Sequence, residues 1–265
     1  MTFQTLSHDT AASAATLPAP PDAPAGFPDR IAFFLDLDGT VLDLAATPGG
    51  VSIPRETVRA IGRLARRLDG ALAVVTGRSL ADVDHILQPL RLPAAALHGA
   101  ELRRRGGGRS AGAAEPPPAR LTAALGAFVD QRPGLSLEDK GASVAVHFRA
   151  SPEREGEVRE RVGELVDRLA PTHEVQPGKM VAEVRPRGVD KGAALKALME
   201  QPPFKGRVPL VFGDDLTDEF AFEAAVSLGG GAVLVGEVDR PSAAAHMLPD
   251  PAALRAWLAE LAEAA

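Results

Sequence analysis

The unbroken apolar run Ile31-Ala32-Phe33-Phe34-Leu35 stops abruptly at Asp36-Leu37-Asp38-Gly39-Thr40. A short Phe- and Ile-rich run with no polar face reads as a strand buried on both sides, the kind found inside a parallel sheet. The two carboxylates leave its carboxyl end, where open α/β sheets place their ligands. Two residues apart in extended chain, Asp36 and Asp38 share a face unless the turn redirects the second. Like charges this close call for a cation or a raised pKa. Gly39 permits a sharp turn directly after them. Taken alone, the pattern is equally that of an Asp-Gly turn closing a strand.

Other strands lead to the same edge. Pro54 opens a helix with Val58, Ile61, Leu64, Ala65 and Leu68 at helical spacing, and Gly70 ends it. The run from Ala71 to Val75 then carries Thr76-Gly77-Arg78-Ser79 to the Asp36 edge, with Ser79 and Asp82 placed as a capping box for the next helix. A strand end feeding a helix N-terminus favours an anion. A third short strand ends at His98-Gly99-Ala100-Glu101, where His98 reads as a satisfied structural histidine because no second His stands at ligand spacing. After residue 187, Asp190-Lys191-Gly192 opens a helix. Val208 to Phe212 is another buried strand, ending in Gly213-Asp214-Asp215-Leu216-Thr217-Asp218-Glu219. Ala232 to Val235 is a further short strand, and Asp250-Pro251 starts a closing helix.

The middle of the chain has a different texture. From about residue 111, helix-strand-strand occurs twice, with Lys140-Gly141 and Pro177-Gly178 as tight turns, which implies an antiparallel sheet. The expected organisation is an Ala/Pro-rich disordered tail (1–28), an α/β core in two parts (29–110 and 187–265) and an inserted α+β domain (111–186). The basic run from Arg103 to Arg109 lacks interleaved aromatics and reads as an exposed hairpin turn or linker. A net charge of −6 argues against nucleic acid or an anionic membrane as a partner, and the lack of cysteine removes disulfides and thiolate chemistry. With no signal-peptide pattern and no apolar span of membrane length, a cytoplasmic enzyme is expected.

If the sheet is parallel, Asp36, Asp38, Thr76, Arg78, Lys191, Asp214 and Asp215 converge on one crevice. Oxygen ligands without soft donors suit Mg²⁺, and Thr, Arg and Lys suit phosphate. One carboxylate to attack phosphorus and another to move a proton would complete a phosphoryl-transfer site. No Walker A sequence is present.

Asp36-Leu37-Asp38-Gly39-Thr40, Thr76-Gly77-Arg78, Lys191 and Gly213-Asp214-Asp215 resemble, in order, the four motifs of the haloacid dehalogenase (HAD) superfamily. Leu97-His98-Gly99-Ala100-Glu101, Leu137-Glu138-Asp139-Lys140-Gly141, His147-Phe148-Arg149, Glu183-Val184-Arg185-Pro186 and Gly213 to Glu219 resemble the trehalose-6-phosphate phosphatases within it. Phe220-Ala221-Phe222 departs from that pattern, where the family often carries an acidic residue and Gly.

The resemblance implies a Rossmann-like HAD core with an inserted cap of αββαββ, C2 type. It also implies hydrolysis of trehalose 6-phosphate, in trehalose biosynthesis. Asp36 corresponds to the nucleophile and Asp38 to the acid/base. Mg²⁺ would be held by the Asp36 carboxylate, the Asp38 backbone carbonyl and Asp214, with Asp215 nearby. Gly39, Thr76, Gly77, Arg78 and Lys191 would surround the phosphoryl group together with Asp36 and Asp38. Glu138, Lys140, Arg149, Lys179 and Glu183 of the cap would meet the sugar hydroxyls. The expected partner is a small sugar phosphate, and the expected state a monomer. Another Mg²⁺-dependent HAD sugar phosphatase, such as a sucrose-phosphate phosphatase, or a phosphomutase would share every core motif.

Overall fold

The computed structural model describes residues 17–24, 26–44, 52–107, 109–111, 115–178, 180–238 and 240–264. Residues 1–16 of the expected tail, 45–51 of the loop after Asp36 and Lys179 lie outside the described residues. In chain order the first part forms β1 (Ile31–Leu35), α1 (Arg55–Arg67), β2 (Leu72–Val75), α2 (Leu80–Leu87), β3 (Ala94–Ala96), β4 (Glu101–Arg103) and β5 (Arg109–Ala111). The middle contains α3 (Ala119–Asp130), β6 (Ser136–Asp139), β7 (Val144–His147), α4 (Glu155–Leu169), β8 (His173–Gly178) and β9 (Val181–Pro186). The last part contains α5 (Lys191–Met199), β10 (Val208–Gly213), α6 (Leu216–Ser227), β11 (Gly231–Val235), β12 (His246–Leu248) and α7 (Pro251–Glu263).

The large sheet has the order β12-β11-β10-β1-β2-β3-β4-β5, with β1 between β10 and β2. The six strands from β12 to β3 are parallel, and β4 and β5 extend the sheet antiparallel. Alternating side chains of β1 explain why it has no polar face. Phe33 packs against Phe212 and Trp257, with ring centroids 5.6 and 6.0 Å away, while Phe34 meets Phe204 at 5.3 Å. Helices α1 and α7 pack together, as do α5 and α6. Both faces of β1 are therefore dry, and its carboxyl end is fixed on two sides.

Three expectations are corrected here. The expected exposed hairpin turn is present at residues 104–107 between β4 and β5, but Arg103 is not part of it. Its side chain is buried, with Nε donating to the Leu92 carbonyl (2.9 Å) and Nη1 to Asp84 (2.5 Å), because the β4–β5 hairpin carries the sheet onward. The tail does not extend to residue 28 without structure. The Pro18 carbonyl accepts from Met247 N at 2.9 Å, the Pro21 carbonyl accepts from Trp257 Nε1 at 3.1 Å, and Phe27 lies 6.2 Å from Phe33. The apolar strip of α7 and β12 supplies the burial that makes a Pro-rich segment settle. Finally, β12 was not foreseen, since three residues with a His at one end carry no strand period.

The small sheet, β6-β7-β9-β8, is antiparallel throughout. Val144, Val146, Ala182 and Val184 point to one face, where they join Leu121 and Leu125 of α3 and Val158 and Val162 of α4 in an apolar cluster. The other face carries Ala145, His147, Glu183 and Arg185 by alternation. Glu183 and Arg185 are nevertheless only 8% and 5% exposed. The large domain covers them: Arg185 Cζ stands 5.9 Å from the ring of Phe220 on α6, and Glu183 faces His98.

Candidate active site

Asp36 follows β1 and is buried. Lys191, the first residue of α5, sends its ammonium into the same place and donates to Asp36 Oδ1 (2.9 Å) and Asp218 Oδ1 (2.8 Å). Asp190 caps α5 by accepting from Ala193 N, which fixes the helix start that aims Lys191. Thr40 Oγ1 lies 3.3 Å from Asp36 Oδ2 and 3.2 Å from Asp214 Oδ1, joining the β1 and β10 ends. Gly39 has φ +78°, and a Cβ there would fall 2.1 Å from Asp214 Oδ2, so the turn requires glycine.

Carboxylate oxygens of Asp36, Asp214 and Asp218 lie within 4.8 Å of one another. Burial, partly offset by Lys191, lifts the Asp36 pKa to about 6, with Asp214 and Asp215 adding to the rise. Burial and the Asp218 charge raise Asp214 to about 7. Burial alone would lower Lys191, but Asp218 and Asp36 together push it well above the usual lysine value. Three carboxylates against one ammonium leave two negative charges uncompensated, which with hard oxygen donors fits a divalent cation.

Asp38 takes another direction. Arg78 grips it with both ends of the guanidinium fork, Nε to Oδ2 and Nη2 to Oδ1, each at 2.6 Å. Thr76 is buried at the end of β2, its Oγ1 accepting from Arg78 N at 3.3 Å. From the small sheet, Glu183 Oε1 accepts from Ser143 Oγ (2.6 Å) and Lys140 Nζ (3.3 Å). Burial would raise the Glu183 pKa, yet Lys140, with the Ser143 hydroxyl, brings it below its usual value, so Glu183 is held ionised.

The model of the trehalose-phosphatase family matches residues 34–251, a stretch that contains every group just described. The chain belongs to the trehalose-phosphatase family. It is 43% identical over 235 residues to a probable trehalose-phosphate phosphatase of Sinorhizobium fredii, covering 88% of each chain. It is 38% identical over 208 residues to the trehalose-6-phosphate phosphatase of Escherichia coli, covering 78% of each. The C-terminal domain of Candida albicans trehalose-6-phosphate phosphatase shares the fold, with TM-score 0.78 and 24% identity over 96% of this chain and all of that one.

Within this trehalose-phosphatase, the structure brings Asp36, Lys191 and Asp214 together and sets Thr76 at the end of the adjacent strand β2. It gives Asp215, Arg78 and Gly39 partners within the protein. The Asp215 carboxylate is not in the Asp36–Asp214 cluster. It caps α6, accepting from Thr217 N (2.8 Å) and Asp218 N (3.2 Å), the use to which an Asp at a helix start is best suited. Arg78, expected at the phosphoryl group, engages Asp38, whose planar carboxylate matches its fork. Gly39 was expected around the phosphoryl group as well; its N–H donates to the Leu42 carbonyl at 2.9 Å.

Asp218 was overlooked. It is 1% exposed, accepts from Lys191, and takes the Asp214 and Asp215 amides on Oδ2, each at 3.2 Å. Its signal was present in the sequence, because an acid three residues beyond an Asp N-cap completes a capping box. In the small domain only part of the expected sugar-facing set gathers. Lys140 and Glu183 meet, Glu138 is exposed and pairs with His147 Nε2 at 2.8 Å, and Arg149 is exposed in the turn after β7, away from the Glu183 end.

Proposed function

We propose that this chain hydrolyses trehalose 6-phosphate to trehalose and inorganic phosphate, with Asp36 as nucleophile. The observation that carries the reading is the buried Lys191 ammonium, shared by Asp36 and Asp218 at the end of β1. It holds the nucleophilic carboxylate in place and supplies positive charge where phosphoryl oxygens would lie. Asp38 enters the cycle protonated, on an oxygen freed from the Arg78 fork. An Asp36 oxygen attacks phosphorus as the bond to the sugar oxygen breaks, and Asp38 delivers its proton to that oxygen. Trehalose leaves. Ionised Asp38 then takes a proton from water, the water oxygen attacks phosphorus, and the bond to Asp36 breaks to release phosphate. For either proton transfer, one arm of the Arg78–Asp38 fork must open. Thr76 and Lys191 donate to the phosphoryl oxygens during both displacements.

Mg²⁺ would be held by Asp36, Asp214 and the Asp38 carbonyl, with Asp218 completing the oxygen cluster. When bound it offsets negative charge on the transferring group. Lys140 and Glu183 would take sugar hydroxyls as charge-assisted hydrogen-bond partners. Glu138 and Arg149 are proposed to join them, as is Lys179, which lies outside the described residues. No described helix is long and apolar enough to cross a membrane. A cytoplasmic monomer is part of the proposal.

The test is phosphate release from a panel of sugar phosphates with and without Mg²⁺. Trehalose 6-phosphate should have the highest kcat/KM and show no turnover after exhaustive chelation. A better sugar phosphate in the panel, or full activity in chelator, refutes the reading. A thermal measurement checks the metal site separately. Asp36 at about 6 and Asp214 at about 7 lie above the ordinary value of 3.8, so the folded protein holds these protons more tightly than the unfolded chain. Their contribution to stability is present below about pH 4 and is lost as pH rises through 6–7. A cation must displace the same protons. The rise in Tm on adding Mg²⁺ should therefore be larger at pH 8 than at pH 5.5, and the opposite order would contradict the assignment.

A further inference from the structure

The chemistry above leaves unused a polar side chain at the domain seam, His98, whose ring is 14% exposed and carries one buried nitrogen. His98 follows β3, and both it and Leu97 have positive φ, 56° and 48°. Two consecutive non-glycine residues in the left-handed region form a costly backbone, and such outliers concentrate at functional positions. The strand-end segment holds them there, since Leu97 N donates to the Arg78 carbonyl (2.9 Å) and His98 N to the Thr76 carbonyl (3.0 Å). The ring lies directly on Gly77, where a Cβ would come within 2.7 Å of Nε2.

Across the seam stands Glu183. Its Oε1 is taken by Ser143 and Lys140, while Oε2 faces His98 Nε2 at 3.9 Å, too far for a hydrogen bond. His98 Nδ1 is buried with no hydrogen-bond partner among the described residues, a condition that native proteins rarely tolerate. The expectation of a satisfied structural histidine is thus overturned. Burial, reinforced by Lys191, lowers the His98 pKa to about 4, leaving a neutral ring with one donor and one acceptor nitrogen.

We propose that His98 is a specificity-determining residue that hydrogen-bonds a hydroxyl of the bound sugar from the core side, opposite Glu183. The proposal rests on the function given above. A hydroxyl oxygen seated beside this 3.9 Å pair accepts from Nε2 and donates to Glu183 Oε2. This bond needs the proton on Nε2, which leaves the buried Nδ1 as the ring's acceptor nitrogen. The sugar then bridges the two domains through one group from each.

His98→Leu removes both nitrogens at similar volume, and His98→Asn keeps a donor and an acceptor in a residue that tolerates positive φ. For both variants and the parent, kcat/KM is measured with Mg²⁺ on trehalose 6-phosphate and on p-nitrophenyl phosphate, which has no sugar hydroxyl, with Tm as a check on folding. The ratio of the two kcat/KM values should fall at least about tenfold in His98→Leu, with the loss mainly in KM, and recover in part in His98→Asn. If His98→Leu does not fold, the same fall, smaller in size, is read from His98→Asn. An unchanged ratio overturns the proposal, whether both rates persist or fall together. A parent enzyme that itself fails to favour trehalose 6-phosphate overturns the function first, so the two failures are told apart.

Discussion

Asp36→Asn is expected to slow phosphate release from trehalose 6-phosphate by at least about 10⁴-fold while leaving the fold and its Tm intact. An amide oxygen can still accept from Lys191, so the 2.9 Å contact has a substitute. The lost charge is one the folded state bears unwillingly, with burial holding its pKa near 6 and Asp214 and Asp215 adding to the rise. Removing it relieves repulsion, so the metal-free variant should be no less stable than the parent, as is usual where function imposes strain. Single-turnover phosphate release and a thermal melt check both halves. A variant within a hundredfold of the parent rate would exclude Asp36 as the nucleophile.

Lys191→Met should damage both activity and stability. Lys191 is 3% exposed and its ammonium is shared by two buried carboxylates. Breaking a buried ion pair from one side costs about 3–5 kcal/mol, because the remaining charge has no partner. For a chain of this size that is a fall in Tm of roughly 6–20 °C. Turnover should drop by about 10²–10³-fold as the donor facing the phosphoryl oxygens is lost. Lowering the pH should restore part of the Tm, since the orphaned Asp36 and Asp218 can then take up protons. A full loss of rate with an unchanged Tm would mean that Lys191 is not an internal counter-ion.

The parallel core and its charged edge were legible because their signals are local and strong. Continuous apolar runs, a Pro at a helix start and carboxylates at strand ends each follow from burial or backbone geometry within a few residues. What escaped depends on contacts distant in sequence. Nothing near Pro18 or Pro21 announces Met247 and Trp257 as partners. The capping box marks Asp215 and Asp218 locally, but that Asp218 is buried beside Lys191 depends on a residue 27 positions away. Arg78 carries a fork that fits carboxylate and phosphate equally, so composition could not choose Asp38 for it. His98 was misjudged because ligand spacing was sought along the chain, whereas its counterpart Glu183 lies across a domain seam.

The two apolar clusters have no side chain in common: one is built around β1, the other between the small sheet and helices α3 and α4. The chain passes between them twice, after β5 and after β9. Such a molecule consists of two units of cooperativity joined by a hinge of two threads. A substitution at Val162 loosens the packing under the sugar-facing sheet and leaves Phe33, Phe34 and the strand behind Asp36 untouched. Mutational load is thereby partitioned. Changes in the packing of the small domain can thus accumulate without disturbing the strand that leads to Asp36.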